Sequence, residues 1–278
     1  MAPRRLLLIT FAALILSNPL FSGEISKIFL QPVRGINRAE VCYIKEEVPK
    51  VGVLVLCPGF NEDGSKLIQQ KTWQDFAKVN GLGLMGLSFT SAGEDLIEGK
   101  GYYYVDQGSG DSLLEAVRKT YGKDWPLLVY GFSGGAQFTS RFVEWKPDRV
   151  LAWCAYSAGW WDAPKKSDIC PPGIVACGYK DWDRYGASLV YFKQGRAVGK
   201  PWLWVSLADT DHQWSPELDA FVRAYFQSIL QTPKPAGVWV DIERKEPYAR
   251  PEAIAQPSMS GWLPDEKLLP LWKQIHAP

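Results

Sequence analysis

The run Leu127-Leu128-Val129-Tyr130, continued by Gly131-Phe132-Ser133-Gly134-Gly135-Ala136, limits the fold of this chain more than any other stretch. Unbroken apolar text of this length reads as a strand buried on both faces, and residues 135–145 read as a helix. Between the two the chain must turn sharply, which puts Ser133 in a strained backbone conformation that only small neighbours permit. Gly131 and Gly135 stand two residues to either side, and Ala136 keeps the following turn narrow. The helix start then lies beneath Ser133, and the Gly134 N–H can face negative charge developing there. A glycine-rich turn that merely contains serine is the alternative. The strand before it and the helix after it favour a nucleophilic serine.

The same alternation runs in both directions. Residues 51–57 are continuously apolar and end at Pro58-Gly59-Phe60-Asn61; 82–88, 150–156, 173–178 and 202–207 read as further strands. Helices are expected over 67–80, 111–121, 187–198 and 216–230, with Asp111 capping the second. Residues 99–110, which hold Tyr102-Tyr103-Tyr104, read as a loop or short insertion. Upstream, 27–30 and 39–44 look like paired strands at a sheet edge, joined by a turn near Arg34-Gly35. No linker or internal repeat interrupts the series. The expectation is a doubly wound, mostly parallel α/β sheet with helices on both faces, formed by residues 23–231. The proline-rich tail, 232–278, has apolar text at 237–240 and 262–264 that suits docking on the same domain.

Arg4-Arg5 followed by the apolar stretch 6–16 reads as a leader. The stretch is short for a bilayer span, so cleavage near Ser22 is expected, with an uncleaved anchor as the alternative. A leader over 1–22 implies a secreted or periplasmic protein without stable membrane association. Removing Arg4 and Arg5 from 31 basic residues leaves 29 against 30 acidic ones, a balance that does not suit a nucleic acid partner. With five cysteines at least one thiol is unpaired. Cys57, Cys154 and Cys177 lie in strand text where a buried thiol is common, whereas Cys42 and Cys170 remain open as a pair.

A serine hydroxyl needs a base to take its proton and an acid to orient that base. The chain has only two histidines, which also argues against a metal site. His212 lies in a loop after the last central strand, where open α/β sheets place their sites; His276 is two residues from the end of the sequence, where chains tend to be mobile. The acid should follow the preceding strand. Asp181 is preferred, with Asp183 and then Asp162 as alternatives. Asp209 and Asp211 are too near His212 in sequence to orient it.

The order Ser133, Asp181, His212, with Gly131-Phe132-Ser133-Gly134-Gly135 on a strand-to-helix turn, resembles the α/β-hydrolase superfamily over roughly 51–230. His212-Gln213-Trp214-Ser215-Pro216 is similar to the His-x-Trp text of secreted polyhydroxybutyrate-depolymerase-like and feruloyl-esterase-like members. The resemblance implies an oxyanion donor from the turn after the first central strand. Here that is the Phe60 N–H, with Asn61 second, beside Gly134. The family usually has His-Gly where this chain has Pro58-Gly59. It also implies acyl transfer to water without a cofactor, on a small-molecule or polysaccharide-linked ester. A serine peptidase and a non-catalytic carbohydrate-binding protein are the competing expectations.

Trp160, Trp161, Trp182 and Trp214 all follow predicted strand ends, so their indoles could gather around the site and stack on sugar rings or aromatic acyl groups. Packing in the core or in a lid is the other reading.

Overall fold

In a computed structural model of the chain, residues 23–45, 48–232, 235–249 and 254–277 are described; the expected leader, 1–22, lies outside them. The chain begins with β1 (Ile25–Phe29), β2 (Arg38–Ile44) and β3 (Gly52–Cys57), then α1 (Ser65–Ile68), α2 (Lys71–Val79), β4 (Leu82–Thr90), α3 (Gly93–Ile97) and α4 (Ser109–Tyr121). It continues through β5 (Leu127–Phe132), α5 (Gly134–Trp145), β6 (Val150–Tyr156), β7 (Gly173–Gly178), α6 (Trp182–Ala197), β8 (Trp202–Leu207) and α7 (Pro216–Gln231). β9 (Val238–Asp241), β10 (Ser260–Leu263) and α8 (Leu269–Ile275) complete it.

β1 to β8 form one sheet in the order β1-β2-β4-β3-β5-β6-β7-β8. From β4 to β8 every neighbouring pair is parallel, and β1 and β2 join antiparallel at one edge. With helices on both sides, this is the expected doubly wound sheet. Its central strands read as unbroken apolar runs because both faces are covered: every residue of β3, β5, β7 and β8 is buried. Burying a large apolar side chain stabilises by about 2 kcal/mol, and the central core includes fully buried Trp153, Tyr130, Phe138 and Phe226.

Three helix boundaries differ from expectation, one of them the start of α6, expected at 187 and found at Trp182. The helix expected over 67–80 is broken into α1 and α2, because Gln70 is extended (ψ 119°) and the chain restarts there, with the Gln74 side chain donating to the Ile68 carbonyl. α4 begins at Ser109, ahead of Asp111, because Gly108 enters the helix with φ 118° and Ser109 Oγ donates back to the Tyr102 carbonyl.

The tail packs along β8. β9 and β10 pair antiparallel, Trp272 Nε1 donates to the Trp204 carbonyl at 2.9 Å, and Ala277 N–H donates to the Ser206 carbonyl at 2.6 Å. His276 is not on a loose end: it is buried, Nδ1 accepts the Ser206 N–H at 2.9 Å, and Nε2 faces the Ile242 carbonyl at 3.1 Å. The first bond requires an unprotonated Nδ1, so the ring carries its hydrogen on Nε2 and donates it to Ile242. All five cysteines are free thiols. Cys42 is buried on β2 against Asp63 and Ser88, so it does not pair with Cys170.

Candidate active site

Parallel strands bring their C-terminal ends to one edge of the sheet. β3, β5, β7 and β8 therefore deliver Phe60, Ser133, Asp181 and His212 to that edge from separate loops. The turn from β5 into α5 is tight. Ser133 has φ 51° and ψ −115°, a conformation rare for a residue with a side chain, and its N–H is anchored to the Tyr156 carbonyl at 2.8 Å. The glycines are required by contact. A Cβ on Gly131 would lie 2.2 Å from the Gly135 carbonyl oxygen, and one on Gly135 would lie 2.1 Å from that of Cys57.

Ser133 Oγ is 2.9 Å from His212 Nε2, and His212 Nδ1 is 2.8 Å from Asp181 Oδ2. Asp181 stands at the N-terminal cap position of α6, yet its side chain does not cap the helix; it turns inward to the histidine. There it is almost wholly buried, and Oδ1 accepts from Arg184 Nη1 at 3.0 Å. Cys177 lies 4.0 Å from Oδ2, and burial pushes its thiol up to about 11, so it stays neutral beside the carboxylate. Neither alternative acid reaches the histidine. Asp162 is held bidentate by Arg141 at 2.7 and 3.1 Å, and Asp183 is exposed in the first turn of α6.

The His212 loop is fastened at several points. Tyr156 Oη donates to the Gln213 carbonyl at 2.6 Å, and Lys180 N–H donates to the Thr210 carbonyl at 2.8 Å. Phe132 stacks on the imidazole at a centroid distance of 4.9 Å. Trp214 Nε1 and Tyr130 Oη both donate to the buried Asp219 at 2.8 Å, and Ser215 Oγ caps α7 by accepting the Leu218 N–H. The ring thus keeps its position without depending on Asp181 alone. Sequence reasoning missed Arg184, Tyr156 and Phe132. Arg184 carried a signal, standing one helical turn beyond Asp181 at the start of a helix.

Opposite Ser133 the loop after β3 places Phe60 beside Gly134: a Cβ on Gly134 would stand 3.0 Å from Phe60 Cα. Asn61, at φ 59°, exchanges side-chain hydrogen bonds with the Ser91 backbone at 2.9 Å both ways, so its amide clasps the residue just after β4 and holds the loop. The Gly59 N–H is taken by Glu62 at 3.2 Å. Among the described residues, the Phe60 and Gly134 N–H groups have no protein acceptor.

The four tryptophans do not act as a set. Trp160 is exposed at the mouth, its ring 6.3 Å from Tyr103, and Trp182 is exposed at the start of α6. Trp161 stacks on Tyr191 at 4.3 Å and donates to Ser188 Oγ, whereas Trp214 packs on Tyr130 and Phe132 behind the histidine. Those two indoles are half-buried and packed on neighbouring rings.

No family model and no curated protein matches the chain. Among solved structures it is similar to the fluorophosphonate-binding serine hydrolase FphF of Staphylococcus aureus, at 15% identity over 75% of this chain and 98% of that one, with a TM-score of 0.53. Poly(aspartic acid) hydrolase-1 from Sphingomonas sp. KT-1 matches at 17% identity over 76% and 99%, TM-score 0.55. An esterase of Pyrobaculum calidifontis matches at 12% over 75% and 85%, TM-score 0.55. At these identities the likeness shows the fold, and that fold is the α/β-hydrolase fold.

Proposed function

We propose that the chain hydrolyses carboxylic esters through an acyl-enzyme on Ser133, with His212 as base and Asp181 as its orienting acid. The observation that carries this reading is the hydrogen-bonded series from Ser133 Oγ through both His212 nitrogens to a buried carboxylate, set on a strained strand-to-helix turn.

Ser133 Oγ attacks the ester carbonyl carbon while His212 Nε2 takes the hydroxyl proton. Asp181 stabilises the imidazolium through Nδ1–H and holds it against rotation. The carbonyl oxygen becomes an oxyanion between the Gly134 and Phe60 N–H groups, each such donor being worth about 3 kcal/mol in the transition state. His212 then returns the proton to the departing alkoxide, leaving the acyl group on Ser133. Water attacks that ester with the same base, and the acid leaves as Ser133 recovers its proton. Every step uses groups of this chain. The exposed rings of Phe60 and Trp160 beside the mouth support an aromatic or polysaccharide-linked ester as substrate. The basic-then-apolar text at 4–16 supports export to a secreted or periplasmic location.

The test compares turnover of p-nitrophenyl acetate, feruloyl esters and peptide anilides by the leaderless protein. Ester turnover that disappears in His212→Ala, with anilides far slower, supports the reading. Efficient anilide cleavage would make the protein a peptidase, and no turnover of either class would favour a binding protein.

A further inference from the structure

We infer that the Tyr103 hydroxyl is a third donor to the oxyanion, oriented by Tyr102 behind it; this rests on the acyl-transfer reading above. Both residues come from the stretch between α3 and α4, which reaches over the start of α5. A methyl group on Gly134 would stand 2.6 Å from the Tyr103 hydroxyl oxygen and 2.7 Å from that of Tyr102. The same point is 3.0 Å from Phe60 Cα. Two phenols thus converge on the stretch of backbone that supplies the other donors, and a side chain at 134 would displace both hydroxyls.

The two hydroxyls have different surroundings. That of Tyr102 is buried and makes no hydrogen bond of ordinary geometry, with the Tyr103 hydroxyl and the Asn61 backbone as its polar neighbours. The rings meet edge to face at 4.6 Å. With the Tyr102 proton directed at the Tyr103 oxygen, the Tyr103 proton is left for another acceptor. The Tyr103 ring sits edge-on to Phe60 and to Trp160, both at 6.3 Å, and those are the exposed aromatics of the mouth.

The segment is held on both sides. Tyr102 N–H donates to Ser91 Oγ at 3.0 Å, its carbonyl accepts Ser109 Oγ–H at 2.9 Å, and the Tyr103 carbonyl accepts from Arg141 at 3.4 Å. Donors fixed before the reaction cost no reorganisation when charge develops, which is what an oxyanion hole requires. Burial raises both phenols above their ordinary value, so each keeps its proton through the neutral range. The charged and titratable groups facing the pair are Cys57 at the end of β3, Arg141 on α5 and Arg184 on α6.

The test is steady-state kinetics of Tyr103→Phe and Tyr102→Phe on p-nitrophenyl acetate, with thermal unfolding of each and Ser133→Ala alongside. Tyr103→Phe should lower kcat about 10- to 100-fold with KM nearly unchanged. Tyr102→Phe should lower it less, since it removes only the group that orients the Tyr103 hydroxyl and leaves that donor in place. Unchanged kcat in Tyr103→Phe would overturn the inference while leaving the acyl-transfer reading intact; turnover surviving in Ser133→Ala would overturn both. Should Tyr103→Phe fail to fold, trifluorotyrosine at 103 decides instead. Its more acidic phenol should make activity fall at a lower pH than in the wild type on the alkaline side, and an unmoved alkaline limb would refute the role.

Discussion

Asp181 and Arg184 meet at 3.0 Å one helical turn apart, on the carboxylate oxygen that His212 leaves free. With a hydrogen-bond donor on each oxygen, Arg184 on one and the His212 Nδ1–H on the other, the carboxylate is held against rotation. Asp181→Asn would present an amide to both partners and favour the wrong histidine tautomer. It should cost about 10⁴-fold in kcat with the fold retained, by analogy with such substitutions in Ser-His-Asp enzymes. Arg184→Gln should cost much less, because the Asp181–His212 bond survives. Equal losses in the two variants would contradict this division of roles.

The space around two glycines, Gly135 at the Ser133 turn and Gly186 in α6, predicts opposite outcomes. Gly135→Ala places a methyl 2.1 Å from the Cys57 carbonyl oxygen, against rigid sheet backbone, and should abolish folding or cost several kcal/mol. Gly186→Ala lies inside α6 with nothing within 4 Å of its new methyl, and should stabilise by roughly 1 kcal/mol. Denaturant unfolding of both variants checks the pair.

His276 gives a pH dependence of stability. Burial lowers it from an ordinary 6.5 to about 4, so between those values the unfolded chain binds the proton more readily than the folded one. Stability from this group is therefore complete above about pH 6.5 and lost as pH falls toward 4. The difference of about 2.5 units corresponds to roughly 3 kcal/mol. The unfolding temperature of the wild type should fall more steeply over that window than that of His276→Gln, and parallel slopes would contradict it.

The sheet was legible because its strands are buried on both faces and so read as unbroken apolar text. The places of Ser133, Asp181 and His212 were legible because loops at strand C-termini meet at one edge. Side-chain commitments were not. Trp160 and Trp161 are adjacent, yet one faces solvent and the other stacks on Tyr191; only the turn of the loop separates them. His276 looked like a terminal residue because its partners, Ser206 and Ile242, are 70 and 34 residues away. The break at Gln70 left no proline or glycine at that residue to announce it.

The tryptophans divide accordingly. Trp160→Ala should raise KM for feruloyl or other aromatic esters with little change in unfolding temperature. Trp161→Ala and Trp214→Ala remove packed, hydrogen-bonded indoles and should each destabilise by about 3 kcal/mol. Kinetics and melting of the three variants separate the classes. A melting temperature in Trp214→Ala equal to wild type would show that the histidine loop does not need that support.

The central claim is that His212 makes Ser133 a nucleophile, and labelling by a fluorophosphonate probe tests it most directly. The wild type should be phosphonylated rapidly, with the modified residue mapped to Ser133 by mass spectrometry; Ser133→Ala should not label, and His212→Ala should label orders of magnitude more slowly. Wild-type protein that stays unlabelled, or a label found on another residue, would contradict the account.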